Sequence, residues 1–133
     1  MTDLSPGGII AVVDDDPSIQ KSLEYLLESA DYTALVFSSA AAFLESGCLA
    51  KIDCVISDID MPVMDGFDLA QAVHEARPEL PVVLITGHPE MLDRLSPMDS
   101  LDLLVFKKPF DGQELLTAIG DAMRNSHLRR PKS

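Results

Sequence analysis

Asp58 closes an apolar run, Cys54 to Ile56 followed by Ser57, and three further apolar runs also end in polar residues of different chemical kinds. Ile9 to Val13 runs into Asp14, Asp15 and Asp16. Val82 to Ile85 ends at Thr86, and Leu103 to Phe106 ends at Lys107 and Lys108. A carboxylate can attack phosphorus and form an acyl phosphate, and phosphoryl transfer then needs mainly alignment and charge neutralisation. Adjacent carboxylates held near a third one repel, which raises a pKa unless a cation neutralises them. Ligands that are all oxygen select a hard metal, and magnesium needs only one or two carboxylates plus a phosphate oxygen. Lys108 offers a second positive charge, Thr86 a hydroxyl for a phosphoryl oxygen, and Gly87 room for a bulky group. Lys108 also precedes Pro109, and a cis bond there would aim the ammonium back towards such a site. Taken singly, an acid of the 14 to 16 run could cap a helix and Asp58 could be a turn acid; the combination of four run ends points to chemistry.

Residues of these types act together only if the four runs are neighbouring strands with their ends on one side. Runs of four or five Val, Ile and Leu residues fit strands buried on both faces, as in a parallel sheet covered by helices. Helical patterns lie between them. Ile19, Leu23, Leu26 and Leu27 follow Pro17, which suits an early helical position behind an acidic cap. Ala40 to Glu45 predicts a short helix capped by Ser38 or Ser39. Leu69, Ala70, Val73 and Ala76 predict a third that stops before Pro78, and Leu115, Leu116, Ile119 and Met123 a last one starting near Asp111. His88 to Leu95, flanked by Pro89 and Pro97, predicts a short, irregular fourth helix. The alternation predicts a doubly wound α/β sandwich, (βα)5, around a five-stranded parallel sheet. Ligands bind such sheets beyond the carboxyl ends of the strands, where the polar residues above fall. The second strand, Ala34 to Phe37, contributes only serines and fits an edge outside the site.

The 133 residues allow one domain, read as residues 8–124 between an N-terminal extension, 1–7, and a basic tail or linker start, 125–133. With 47% hydrophobic and 24% charged residues the composition is that of a soluble globular protein. No apolar run nears the roughly 20 residues of a membrane span, and Met1 to Gly8 lacks the basic start of a signal peptide. Cytoplasmic residence is therefore expected, with Cys48 and Cys54 as reduced core thiols. A net charge of −12, with four basic residues and no acid after Met123, leaves −16 on residues 1–123. Such a body is not expected to bind nucleic acid directly.

Val-Val-Asp-Asp-Asp-Pro-Ser-Ile at 12–19, Ser-Asp-Ile-Asp-Met-Pro-Val-Met-Asp-Gly at 57–66, Leu-Ile-Thr-Gly at 84–87 and Lys-Lys-Pro-Phe at 107–110 together resemble the receiver domain of two-component response regulators. The resemblance covers about residues 8 to 124 and implies the flavodoxin-like strand order 2-1-3-4-5. It implies Asp58 as phosphoacceptor, Asp15 as direct ligand of Mg2+ (or Mn2+), Asp14 as a ligand through water, and Asp60 as a ligand through its backbone carbonyl. Thr86 would be the switch hydroxyl, with Gly87 beside it, and Lys108 the phosphoryl contact. The donor would be a phosphohistidine on a sensor histidine kinase or a histidine phosphotransfer protein. The output would pass to a downstream protein or output domain, with a homodimer left open.

Three sites depart from the family pattern. Val105 stands where the family usually has an aromatic residue coupled to the switch hydroxyl, and Phe106 occupies the next place. Leu101 and Asp102 replace a small pair before the last strand. Asp60 and His88 lie two residues beyond Asp58 and Thr86, at positions that in the family tune phosphate lifetime. The expected function is a Mg-dependent, phosphorylation-controlled module that exchanges its own phosphoryl group without multiple-turnover substrate chemistry. The alternatives are a receiver fragment of a larger DNA-binding transcriptional regulator, a phosphate-independent receiver-like binding module, and an aspartate-nucleophile phosphatase suggested by Asp58-Ile59-Asp60.

Overall fold

In the computed structural model of the chain, residues 8–88 and 103–129 are described, with side chains at 8–88 and 104–125. The expected short helix after His88, and Leu101 and Asp102, lie outside the described residues. Five strands form one parallel sheet: β1 Ile9–Val13, β2 Thr33–Phe37, β3 Cys54–Asp58, β4 Val82–Thr86 and β5 Leu103–Lys107. Their order is β2-β1-β3-β4-β5, and every pairing is parallel. The helices are α1 Pro17–Ser29, α2 Ala40–Glu45, α3 Gly66–Ala76 and α4 Gly112–Arg129, with a 3-10 turn at Cys48–Ala50.

Each strand alternates its side chains between two apolar layers. One layer joins Ala11, Val13, Val55, Val82 and Leu84 to Phe43 of α2 and to Leu69, Ala70 and Val73 of α3. The other joins Ile10, Val12, Ile56, Val83 and Ile85 to Leu23 and Leu27 of α1 and to Leu115 and Ile119 of α4. Both faces are therefore covered, which is why β1, β3 and β4 read as nearly continuous apolar runs. Each fully buried Leu or Ile contributes about 1.5–3 kcal/mol. β2 is an edge strand, with four of its residues only partly buried.

Local signals set the helix ends. Asp16 accepts the Ser18 N–H at 2.8 Å ahead of Pro17, and Ser39, not Ser38, accepts the Ala42 N–H at 3.0 Å. Asp65 and Asp68 form a reciprocal capping box at the start of α3, an arrangement that satisfies two otherwise orphaned donors. α3 ends at Ala76, before Pro78. Asp111 accepts from Gln113 and Glu114 at the start of α4, and that helix continues to Arg129, past residue 124 where the sequence reading ends the domain. Cys48 and Cys54 are buried and unbridged.

Candidate functional site

The ends of β1 and β3 deliver their acids side by side because the two strands are in register, with Val13 opposite Ser57. One residue further along each, Asp14 and Asp58 are 1% and 6% exposed. Carboxylate oxygens of Asp14, Asp15 and Asp58 all lie within 4.8 Å of one another. The run of three acids thus divides: Asp16 caps α1, while Asp14 and Asp15 join Asp58. Asp14 Oδ1 accepts the Asp16 N–H at 2.9 Å, whereas Asp14 Oδ2 is buried with no hydrogen-bond partner among the described residues.

Lys108 enters this acidic cluster from the end of β5. Its Nζ stands 3.4 Å from Asp58 Oδ1 and 3.7 Å from Asp14 Oδ2, and the Lys108–Pro109 peptide is cis. Burial pushes the Asp14 carboxyl from 3.8 up to about 6; the Asp16 amide opposes the rise, Asp58 adds to it, Lys108 opposes it and Asp15 adds again. Burial also raises Asp58, against the charge and hydrogen bond of Lys108 and the Asp60 amide. Among the described residues the Lys108 ammonium thus meets two of the three clustered carboxylates, Asp14 and Asp58. A buried carboxylate oxygen without a donor, in a set made only of oxygens, fits a hard divalent cation such as Mg2+.

The loop after Asp58 is tied back on itself, with Met61 and Gly66 N–H both donating to the Ile59 carbonyl at 3.1 and 2.9 Å. A Cβ at Gly66 would stand 2.6 Å from the Asp58 carbonyl oxygen and 2.7 Å from Ile59 Cα. The sequence motif contains Gly66, but only the fold reveals that α3 starts against the backbone of Asp58. Ser57 Oγ donates to the same Asp58 carbonyl at 2.9 Å.

Thr86 is fully buried, and its hydroxyl is committed to the main chain two residues on. It accepts the His88 N–H at 2.8 Å and lies 3.1 Å from the His88 carbonyl. Gly87 leaves the Lys108 stem 3.7 Å from where a Cβ would be. Asp60 and His88 come together, Nε2 to Oδ2 at 3.2 Å, both more than half exposed. Val105 packs in the layer of α2 and α3, opposite Leu84, while Phe106 packs in the layer of α1 and α4, opposite Ile85. Strand alternation puts Thr86 on the face of Leu84, so Val105 shares its side of the sheet and Phe106 does not.

Gln20, which the sequence patterns did not single out, belongs to the surroundings of the acids. Its Nε2 donates to the Asp14 carbonyl at 2.5 Å and reaches Ser38 Oγ at 3.3 Å. The end of β2 is therefore linked to the site through one side chain, although the strand itself stays at the edge as expected.

Residues 10–120 match the family model of the response regulator receiver domain. The chain is 32% identical over 119 residues to the transcriptional regulatory protein FixJ of Bradyrhizobium diazoefficiens, covering 90% of this chain and 58% of FixJ. It is 35% identical over 116 residues to the DNA-binding transcriptional regulator NtrC of Escherichia coli, covering 87% of this chain and 25% of NtrC. Its fold superposes on a response regulator receiver domain protein of Clostridium thermocellum with a TM-score of 0.82 at 28% identity, covering 92% and 98% of the two chains. The chain spans less than two thirds of the length of these curated relatives. Among the described residues no helix is long and apolar enough to cross a membrane.

Proposed function

Because the chain belongs to the response regulator receiver domain family, we propose that Asp58 is its phosphoacceptor and that the acidic cluster is its phosphoryl-transfer site. The family's members are signalling modules that bind Mg2+ at an acidic pocket, and phosphorylation on Asp is typical of them. The observation that carries the assignment is one buried carboxylate, Asp58, set 3.4 Å from an ammonium and within 4.8 Å of two further acids.

In this reading a carboxylate oxygen of Asp58 attacks phosphorus while the P–N bond of a donor phosphohistidine breaks, the imidazole leaving with the bonding pair. Asp15 would hold the cation directly and Asp14 through water, with Asp58 and the Asp60 carbonyl as its further protein ligands. Bound there, Mg2+ or Mn2+ supplies positive charge against the phosphoryl oxygens. Lys108 moves with its charge from the carboxylate to the phosphoryl group. Thr86 gives up its bond with His88 to donate to a phosphoryl oxygen, beside the space left by Gly87. Val105 follows on the same face as Thr86, with a smaller side chain than the usual aromatic. Asp60 and His88, paired and exposed, tune how long the phosphate lasts.

The donor is a sensor histidine kinase or a histidine phosphotransfer protein, and the recipient of the signal is a downstream protein or output domain. Phosphorylation acts by shifting the balance between two conformations. The receiver unit comprises residues 8–124, preceded by the extension 1–7 and followed by a basic tail or linker start from 125 whose first residues continue α4 to Arg129, in a cytoplasmic protein. The lengths of FixJ and NtrC favour a second reading compatible with the first, in which this receiver serves a larger DNA-binding regulator. Incubation with labelled phosphoramidate and Mg2+ tests the assignment. One phosphoryl group should be taken up by the native chain and none by Asp58→Asn, and undiminished labelling of that variant would sink it.

A further inference from the structure

We infer that Gln20 is a positioning residue for the divalent-cation site, acting through the main chain of Asp14 without touching the ion. The inference rests on the metal-site reading above and concerns what aims its two N-terminal acids.

The chain leaves the sheet after Val13, the last residue of β1 paired with β2 and β3, and enters α1 at Pro17. Residues 14–16 therefore need other partners for their backbone groups. The Asp14 N–H donates to the Phe37 carbonyl at 3.1 Å, and the Asp14 carbonyl accepts from Gln20 Nε2 at 2.5 Å. That carbonyl belongs to the peptide joining Asp14 to Asp15, so its direction sets where the Asp15 Cα stands and where its carboxylate points. Asp15 is exposed and has no side-chain hydrogen bond among the described residues. The peptide that Gln20 grips is thus what orients it.

Gln20 is itself fixed by the same loop. Its N–H donates to the Asp16 carbonyl at 3.0 Å, and the Asp16 N–H donates to Asp14 Oδ1 at 2.9 Å. Three bonds close a ring through residues 14, 16 and 20, and the amide also reaches Ser38 Oγ at 3.3 Å, an exposed contact outside that ring. The side chain is partly buried, which limits replacement of the amide by water. A neutral amide also supplies these donors without placing a positive charge beside a cation site. Groups that orient metal ligands typically matter 10- to 100-fold in metal affinity.

The test uses the full chain and Mg2+ alone, titrated with amide NMR shifts of residues 14–16 as the signal, with urea stability in EDTA measured alongside. Gln20→Met keeps the length without the donors, and Gln20→Asn keeps the donors without the reach. Both should raise the Mg2+ Kd tenfold or more, while Ser38→Ala, which leaves the Asp14 bond intact, should stay within twofold. A purely structural role for Gln20 would lower urea stability and leave the Kd alone. Either folded Gln20 variant binding Mg2+ within twofold of the native chain overturns the inference. Absence of Mg2+ binding by the native chain would overturn the metal-site reading with it, which separates the two failures.

Discussion

Asp14→Asn should make the metal-free protein more stable at neutral pH, although it adds no apolar contact. The buried Asp14 carboxyl titrates at about 6 against 3.8 for the ordinary side chain. Between those values the unfolded chain has released the proton that the folded chain still holds. Stability from this group is therefore complete below pH 3.8, falls as pH rises through the window, and is lost above about pH 6. At 1.36 kcal/mol per pKa unit the loss amounts to about 3 kcal/mol. Asparagine carries no charge to desolvate, and its Oδ1 can still accept the Asp16 N–H that now binds Asp14 Oδ1. Urea unfolding in EDTA, followed by circular dichroism because the chain has no Trp, measures both proteins from pH 4 to 8. The variant's advantage should be small at pH 4 and approach about 3 kcal/mol by pH 7.5. Added Mg2+ should then stabilise the native chain in proportion to RT ln(1 + [Mg2+]/Kd) and help the variant less. A variant no more stable than the native chain at pH 7.5, or an advantage equal at every pH, would refute the electrostatic argument.

Lys108→Met removes a positive charge 3.7 Å from Asp14 and 3.4 Å from Asp58. NMR titration should place Asp14 higher than in the native chain, and calorimetry should give Mg2+ binding as tight or tighter, despite slower phosphoryl uptake. Gly66→Ala forces a Cβ to within 2.6 Å of the Asp58 carbonyl oxygen, so urea unfolding should show a loss of about 1–3 kcal/mol with impaired labelling of Asp58. Thr86→Val keeps the shape but removes the hydroxyl that accepts the His88 N–H, for a cost of about 1 kcal/mol in the same assay; beryllofluoride should then produce smaller shifts in β4 and β5 amides than in the native chain.

Asp58 was legible because a parallel strand buried on both faces is a solid apolar run, and the residue closing it must sit at the carboxyl edge of the sheet. The same reasoning located Asp14, Thr86 and Lys108. It could not divide the acids at 14–16, since capping and metal binding ask for the same residue type; only the Asp16 to Ser18 bond and the cluster of the other two separate them. Gln20 left no signal, because its bond to a main-chain carbonyl depends on how α1 rotates against β1. Val105 and Phe106 both stand near the position of the family's aromatic, and strand alternation sends them to opposite layers, so only Val105 shares the face of Thr86. The sequence offers the Thr86 hydroxyl for a phosphoryl oxygen but gives no sign of its local partners in His88, which depend on how the chain turns after β4.

The phosphoryl position itself is open to direct chemical reading. Borohydride reduces an aspartyl phosphate to homoserine, so the chain treated with phosphoramidate and Mg2+, reduced and mapped by peptide mass spectrometry, should carry homoserine at position 58 and none when EDTA replaces Mg2+. Homoserine at another aspartate, or equal conversion at Asp58 without a divalent cation, would contradict the account.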